Sequence, residues 1–108
     1  MTRREFFRLI EIIQAQDREL LEKKNHDYAG DEDALENLRE IGFHGIVTRI
    51  RDKVVRLKVF DERREKGNSG PLSVQDETIA DTLADIANFC VLGRIMLAEE
   101  KKWPLARQ

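Results

Sequence analysis

The chain has 108 residues, 41% of them hydrophobic and 37% charged, which is enough apolar material for one small core and a single domain over residues 1–108. Acidic residues (21) slightly outnumber basic ones (19), so the net charge of −2 argues against a generally basic nucleic-acid binder and confines any positive surface to a local patch. The lone cysteine, Cys90, excludes a disulfide framework or a thiolate metal site; it falls in an apolar helical run, where buried packing in a reducing, cytoplasmic setting is expected.

From the N-terminus, Thr2 followed by Glu5 forms a capping box, and Phe6, Leu9, Ile10, Ile13, Leu20 and Leu21 then recur at helical spacing. This predicts a first helix ending near Lys24. Arg8 and Glu11 interrupt its apolar segment, no cleavage site follows and no span of about 18 apolar residues exists, so a soluble chain with no membrane contact is expected. The stretch "NHDYAGDEDA" is rich in Asn, Asp and Gly and predicts a loop. A short helix over "DALENLREI" is closed by Gly42. From about Gly45 a second long helix keeps Ile46, Ile50, Val54 and Leu57 on one stripe. The cluster "GNSGPLS" is a turn, and Ser73 with Asp76 caps a third long helix running to about Glu100. Pro104 ends any helix in the tail at 101–108, where Trp103 is exposed or docks on a partner. No period-two alternation is sustained. The expected fold is all-α, a bundle of three long helices and one short one, completed by oligomerisation because so short a chain leaves much of its surface uncovered.

Two sets of charges stand out. In helix two, Arg49, Asp52, Lys53 and Arg56 fall at i, i+3, i+4 and i+7, so three cations and one acid share a face, an arrangement suited to an anion such as a phosphate chain or to surface ion pairs of little worth. In helix three, Glu77, Asp81 and Asp85 recur every four residues, drifting by only about 40° per step, with Asn88 continuing the face. Like charges at that spacing repel, and burial would make them costly unless partnered. The partner is either the cationic face of helix two or a divalent ion with hard oxygen ligands, Mg²⁺ by default.

Lys24-x-x-Asp27-Tyr28, then Asn37, then Arg49-x-x-Asp52-Lys53-x-x-Arg56-Leu57, then Asp81-x-x-x-Asp85-x-x-Asn88-Phe89 resemble the nucleotide modification associated domain 1 family, found largely in phages and bacteria. The resemblance covers about residues 20 to 97. That family looks like a branch of the all-α nucleoside triphosphate pyrophosphohydrolases, the superfamily of MazG and the dimeric dUTPases, which cut between the α and β phosphates with Mg²⁺ and assemble as dimers or tetramers. The usual E-x-x-E answered by E-x-x-D is not reproduced at the matching places; helix three offers Glu77, Asp81 and Asp85 instead.

The resemblance therefore implies Mg²⁺-dependent hydrolysis of a deoxynucleotide or modified nucleotide triphosphate, in the cytoplasm, or in the host cytoplasm for a phage protein. Asp52, Glu77, Asp81 and Asp85 would hold the metal, and Arg49, Lys53 and Arg56 would stabilise charge on the transferred group and the departing pyrophosphate. Lys24, Asp27, Tyr28, Asn37 and Asn88 would contact the nucleotide. Two further expectations stand beside this one: nucleotide binding without hydrolysis, and a helical oligomeric interaction module.

Overall fold

The computed structural model describes residues 1–28, 33–67 and 74–100, with 27–28 and 74–78 described for the backbone alone. They form three long helices, α1 (Arg3–Tyr28), α2 (Glu36–Glu65) and α3 (Val74–Glu99), with no strand among the described residues. The Ser73 cap, most of the "GNSGPLS" turn, the acidic residues at 29–32 and the tail lie outside the described residues. None of the helices is long and apolar enough to cross a membrane, among the described residues. The chain divides into two compact units, Met1–Asn37 and Leu38–Gln108.

In the first unit the capping box forms as the sequence implies. The Thr2 backbone N–H donates to Glu5 Oε2 at 2.9 Å, and the Glu5 N–H donates back to Thr2 Oγ1 at 3.1 Å. The helix then runs to Tyr28, beyond the expected end at Lys24. Asn25 explains part of this: its side-chain amide donates to the Ala34 carbonyl at 2.8 Å, so a residue that reads as a loop former instead ties the end of the helix to the turn that follows. Asp33 then caps α2, its Oδ1 accepting from the Leu35 N–H at 3.1 Å.

In the second unit, α2 contains one residue outside the helical region, Gly42, with φ 66° and ψ 177°. That conformation is almost exclusive to glycine, and it separates the short segment before it, the expected short helix, from the long one after it. The long segment starts straight after the break, earlier than the expected Gly45. A β-carbon at Gly42 would meet no atom within 4 Å, so its substitution is penalised by backbone conformation alone. Gly93 is the opposite case: it lies inside α3, and a β-carbon there would make ordinary contacts with Phe43 at 3.4 Å and Ile46 at 3.8 Å. Gly42→Ala is expected to lower stability by about 1–3 kcal/mol, and Gly93→Ala to raise it by up to about 1 kcal/mol through helix propensity. Urea unfolding curves of the two variants should move in opposite directions; shifts of the same sign would mean that the break is not a fixed feature.

Helices α2 and α3 run antiparallel and are joined at two levels. Arg39 forks onto Glu99, with Nε to Oε1 at 2.8 Å and Nη2 to Oε2 at 3.0 Å, and Lys53 Nζ meets Asp85 Oδ2 at 3.0 Å. Lys53 follows Arg39 by fourteen residues and Glu99 follows Asp85 by fourteen, so one register holds along the pair. Between the two levels, Ile46 and Met96 are the buried apolar residues, and Gly93 gives α2 a close approach to α3. This core is thin. Phe43, Val47, Val54, Val55, Val59, Leu83 and Val91 all remain exposed.

Candidate functional site

In the long segment of α2 Ile46 is buried and Ile50, Lys53, Leu57 and Phe60 are half-buried, alternately four and three residues apart, and Ile46 and Lys53 of this stripe meet α3. Lys53 thus occupies a slot in the apolar stripe that the sequence suggests for Val54, and Val54 is 49% exposed. The reason lies in α2 itself, whose valines on both flanks blur the apolar face, so that the packing of α3 decides which one turns inward. The cationic set is split as a result. Lys53 points into the seam, while Arg49, Arg56 and Asp52 stay exposed on its flank.

The acidic face of α3 is split in the same way. Asp85 is half-buried and held by Lys53, whereas Asp81, one turn earlier, is exposed. Thr82 and Asn88 are buried on either side of Asp85, giving α3 a polar ladder at i, i+3 and i+6 within the seam. All three make interactions, and no buried side-chain nitrogen or oxygen among the described residues lacks a hydrogen-bond partner. The side chains of the Lys53–Asp85 pair are only 22% and 15% exposed, so the pair is largely desolvated, and each charge requires the other.

Of the other expected site residues, Glu77 lies on the first turns of α3 and is described for its backbone alone, as are Asp27 and Tyr28 at the end of α1. Lys24 and Asn37 belong to the first compact unit; both are exposed and both make interactions. The expected residues that the structure brings together are therefore Lys53, Asp85 and Asn88, with Arg49, Arg56, Asp52 and Asp81 at the rim. No group of three or more His, Cys, Asp or Glu side chains among the described residues is placed to hold a metal ion. Asp85 is engaged by an ammonium group and Asp81 stands apart in solvent, so the described carboxylates do not fit a closed Mg²⁺ site.

The sequence gives no separate weight to Thr82, although its place three residues before Asp85 is a usable signal once the seam is known. Arg39 and Glu99 are sixty residues apart and carry no local signal at all. Cys90, expected in packing, is exposed. It sits on the outer arc of a helix that is apolar nearly all round, so the sequence leaves open which residues of that run face inward.

At the rim, Arg49 and Arg56 present two guanidinium groups about two turns apart, on either side of the level of Lys53. Among the described residues neither is engaged in an ion pair. Asp52 and Asp81 share this rim and Lys53 is paired with Asp85, so the charges balance in number, and what the two arginines offer an anion is a pair of exposed guanidinium forks. No protein-family model, curated protein or solved structure matches the chain.

Proposed function

We propose that the α2–α3 face binds the phosphate chain of a nucleoside triphosphate, and that the protein acts on it as a cytoplasmic pyrophosphohydrolase, releasing a monophosphate and pyrophosphate. The observation that carries this is the exposed pair Arg49 and Arg56, without acidic partners among the described residues, flanking the Lys53–Asp85 pair. Arg49 and Arg56 grip phosphate oxygens as bidentate forks, and Lys53 adds a point charge between them as negative charge grows on the departing pyrophosphate. Mg²⁺ would shield the phosphates and activate water. The described carboxylates do not assemble a site for it, so no step is assigned to them through the ion. A homodimer or homotetramer is part of this proposal, because the second unit alone buries so little of its apolar surface.

A second reading is favoured by a specific observation. Lys53 and Asp85 face each other in a seam of otherwise apolar character, which is how a helical pair fixes its register, and this use needs no ligand. The chain would then be a helical interaction module, or, where Arg49 and Arg56 still hold a phosphate chain, a nucleotide-binding accessory subunit without hydrolysis.

One experiment separates these readings. The protein is incubated with Mg²⁺ and a panel of standard and modified nucleoside triphosphates while products and thermal stability are followed. The hydrolase reading expects monophosphate with pyrophosphate, and a rise in melting temperature that Arg49→Ala with Arg56→Ala abolishes. A rise without products selects binding alone. Neither products nor a shift with any nucleotide leaves the interaction module.

A further inference from the structure

The segments of α2 before and after Gly42 meet in a tight corner. A β-carbon built on Gly45 would lie 2.6 Å from the Ile41 β-carbon, closer than real β-carbons come. In an unbroken helix the β-carbons of residues four apart stand roughly 5–6 Å from each other, so this crowding is a product of the break. The two glycines thus have separate tasks. Gly42 supplies the positive φ of 66° that turns the chain, and Gly45 leaves the room into which Ile41 folds. Gly42 itself borders open space, with no atom within 4 Å of a β-carbon there, so no side chain wedges the corner from that side. Ahead of the corner, residues 38–41 are tied to the end of α3 by the Arg39–Glu99 fork, whose side chains are 50% and 40% exposed. The Lys53–Asp85 tie, on the far side of the buried Ile46, is only 22% and 15% exposed. Unequal exposure means unequal strength: a wet ion pair is weak and screened by salt, whereas a desolvated one is costly to part.

We propose that residues 38–41 form a hinged arm that opens about Gly42 when the Arg39–Glu99 fork parts, while the α2–α3 seam at Ile46 and Lys53 stays closed. Backbone held in a sparsely populated conformation persists only where its surroundings over-determine it, and such residues gather at switch regions. Here the surroundings are few. Opening relieves the crowding between Ile41 and Gly45, meets no side chain at Gly42, and gives up one surface fork rather than the buried core. The energetic order of the two ties therefore sets the order of events, with the arm released at a small fraction of what parting the seam requires. Because the latch is the solvent-exposed tie, the position of the arm responds to ionic strength. None of the phosphate-binding residues takes part, so the hinge goes beyond the functional proposal and is independent of it.

The test is hydrogen exchange of the full chain without nucleotide or Mg²⁺, read by mass spectrometry in peptides covering the arm and, separately, the turns around Lys53 and Asp85. Glu99→Ala removes the latch and should speed exchange in the arm about three- to fivefold, the share that a surface pair holds, while the seam keeps its parent rate. Salt at about 0.5 M should speed the arm of the parent chain in the same way and leave the arm of Glu99→Ala unchanged. Gly45→Ala puts a methyl group where Ile41 lies in the closed corner, so it should hold the arm open, with arm exchange faster by about tenfold or more and the seam again unaffected. An arm that exchanges at the parent rate in Glu99→Ala, or a salt response that survives in that variant, would overturn the proposal. So would acceleration that runs through arm and seam together in either variant, which would make the break a rigid part of the core.

Discussion

Replacing Ile46 with alanine is expected to lower the stability of the α2–α3 unit by about 3 kcal/mol, in line with other deletions of a large buried aliphatic side chain. Ile46 is 1% exposed and, with Met96, makes up the buried apolar core among the described residues. It lies at the level where Gly93 draws the two helices close, so the cavity left behind has backbone on one side and little freedom to collapse. Small domains carry only about 5–15 kcal/mol in all, so such a loss takes a large share of the total. The melting temperature should fall by more than about 10 °C. Calorimetry of Ile46→Ala beside Val55→Ala, an exposed position that should change little, would test this. Equal effects at the two positions would mean that the core lies elsewhere.

The second large effect is expected at the seam pair. Lys53→Met leaves the Asp85 carboxylate largely desolvated and without its ammonium partner, and should cost about 2–3 kcal/mol, somewhat below the usual value for a fully buried pair because both side chains keep some solvent. Asp85→Asn should cost a similar amount by leaving the ammonium unpaired. The double variant should be closer to the parent than either single one, because the apolar and amide side chains no longer need each other. Denaturant unfolding of the four proteins gives the coupling directly, and additive losses would exclude a direct interaction. The same series bears on function. If Lys53 also serves a phosphate chain, the double variant recovers stability but not nucleotide binding; if the pair only sets the register, the parent and the double variant respond to nucleotide alike.

Much of the fold could be read from local signals. The Thr2–Glu5 capping box, the apolar spacing of α1 and the glycine that interrupts α2 all act within a few residues, so their consequences are visible in the sequence itself. The extension of α1 to Tyr28 was not legible, because the Asn25 amide reaches a carbonyl nine residues away, an interaction that residue preference does not anticipate. In the candidate site the sequence singles out Lys53, Asp85 and Asn88, which the structure does bring to one seam. It also groups them with Arg49, Arg56, Asp52 and Asp81, which the structure leaves outside. A step of about 40° between side chains four apart is small on a helical wheel, yet it is enough to carry Asp81 from the seam into solvent. Which side of that boundary a residue falls on depends on the neighbouring helix. The Arg39–Glu99 fork is the extreme case, since nothing near either residue announces the other.

The matched fourteen-residue spacings on α2 and α3 have a mechanical corollary. Sliding one helix along its neighbour by a single turn, roughly 5.4 Å, would part both bridges at once, because they are rungs of the same ladder. An inserted or deleted residue between the rungs on one helix alone would instead satisfy only one of them. The chain in those two intervals is therefore held to a common length, although the Gly42 break shows that it need not be helical throughout.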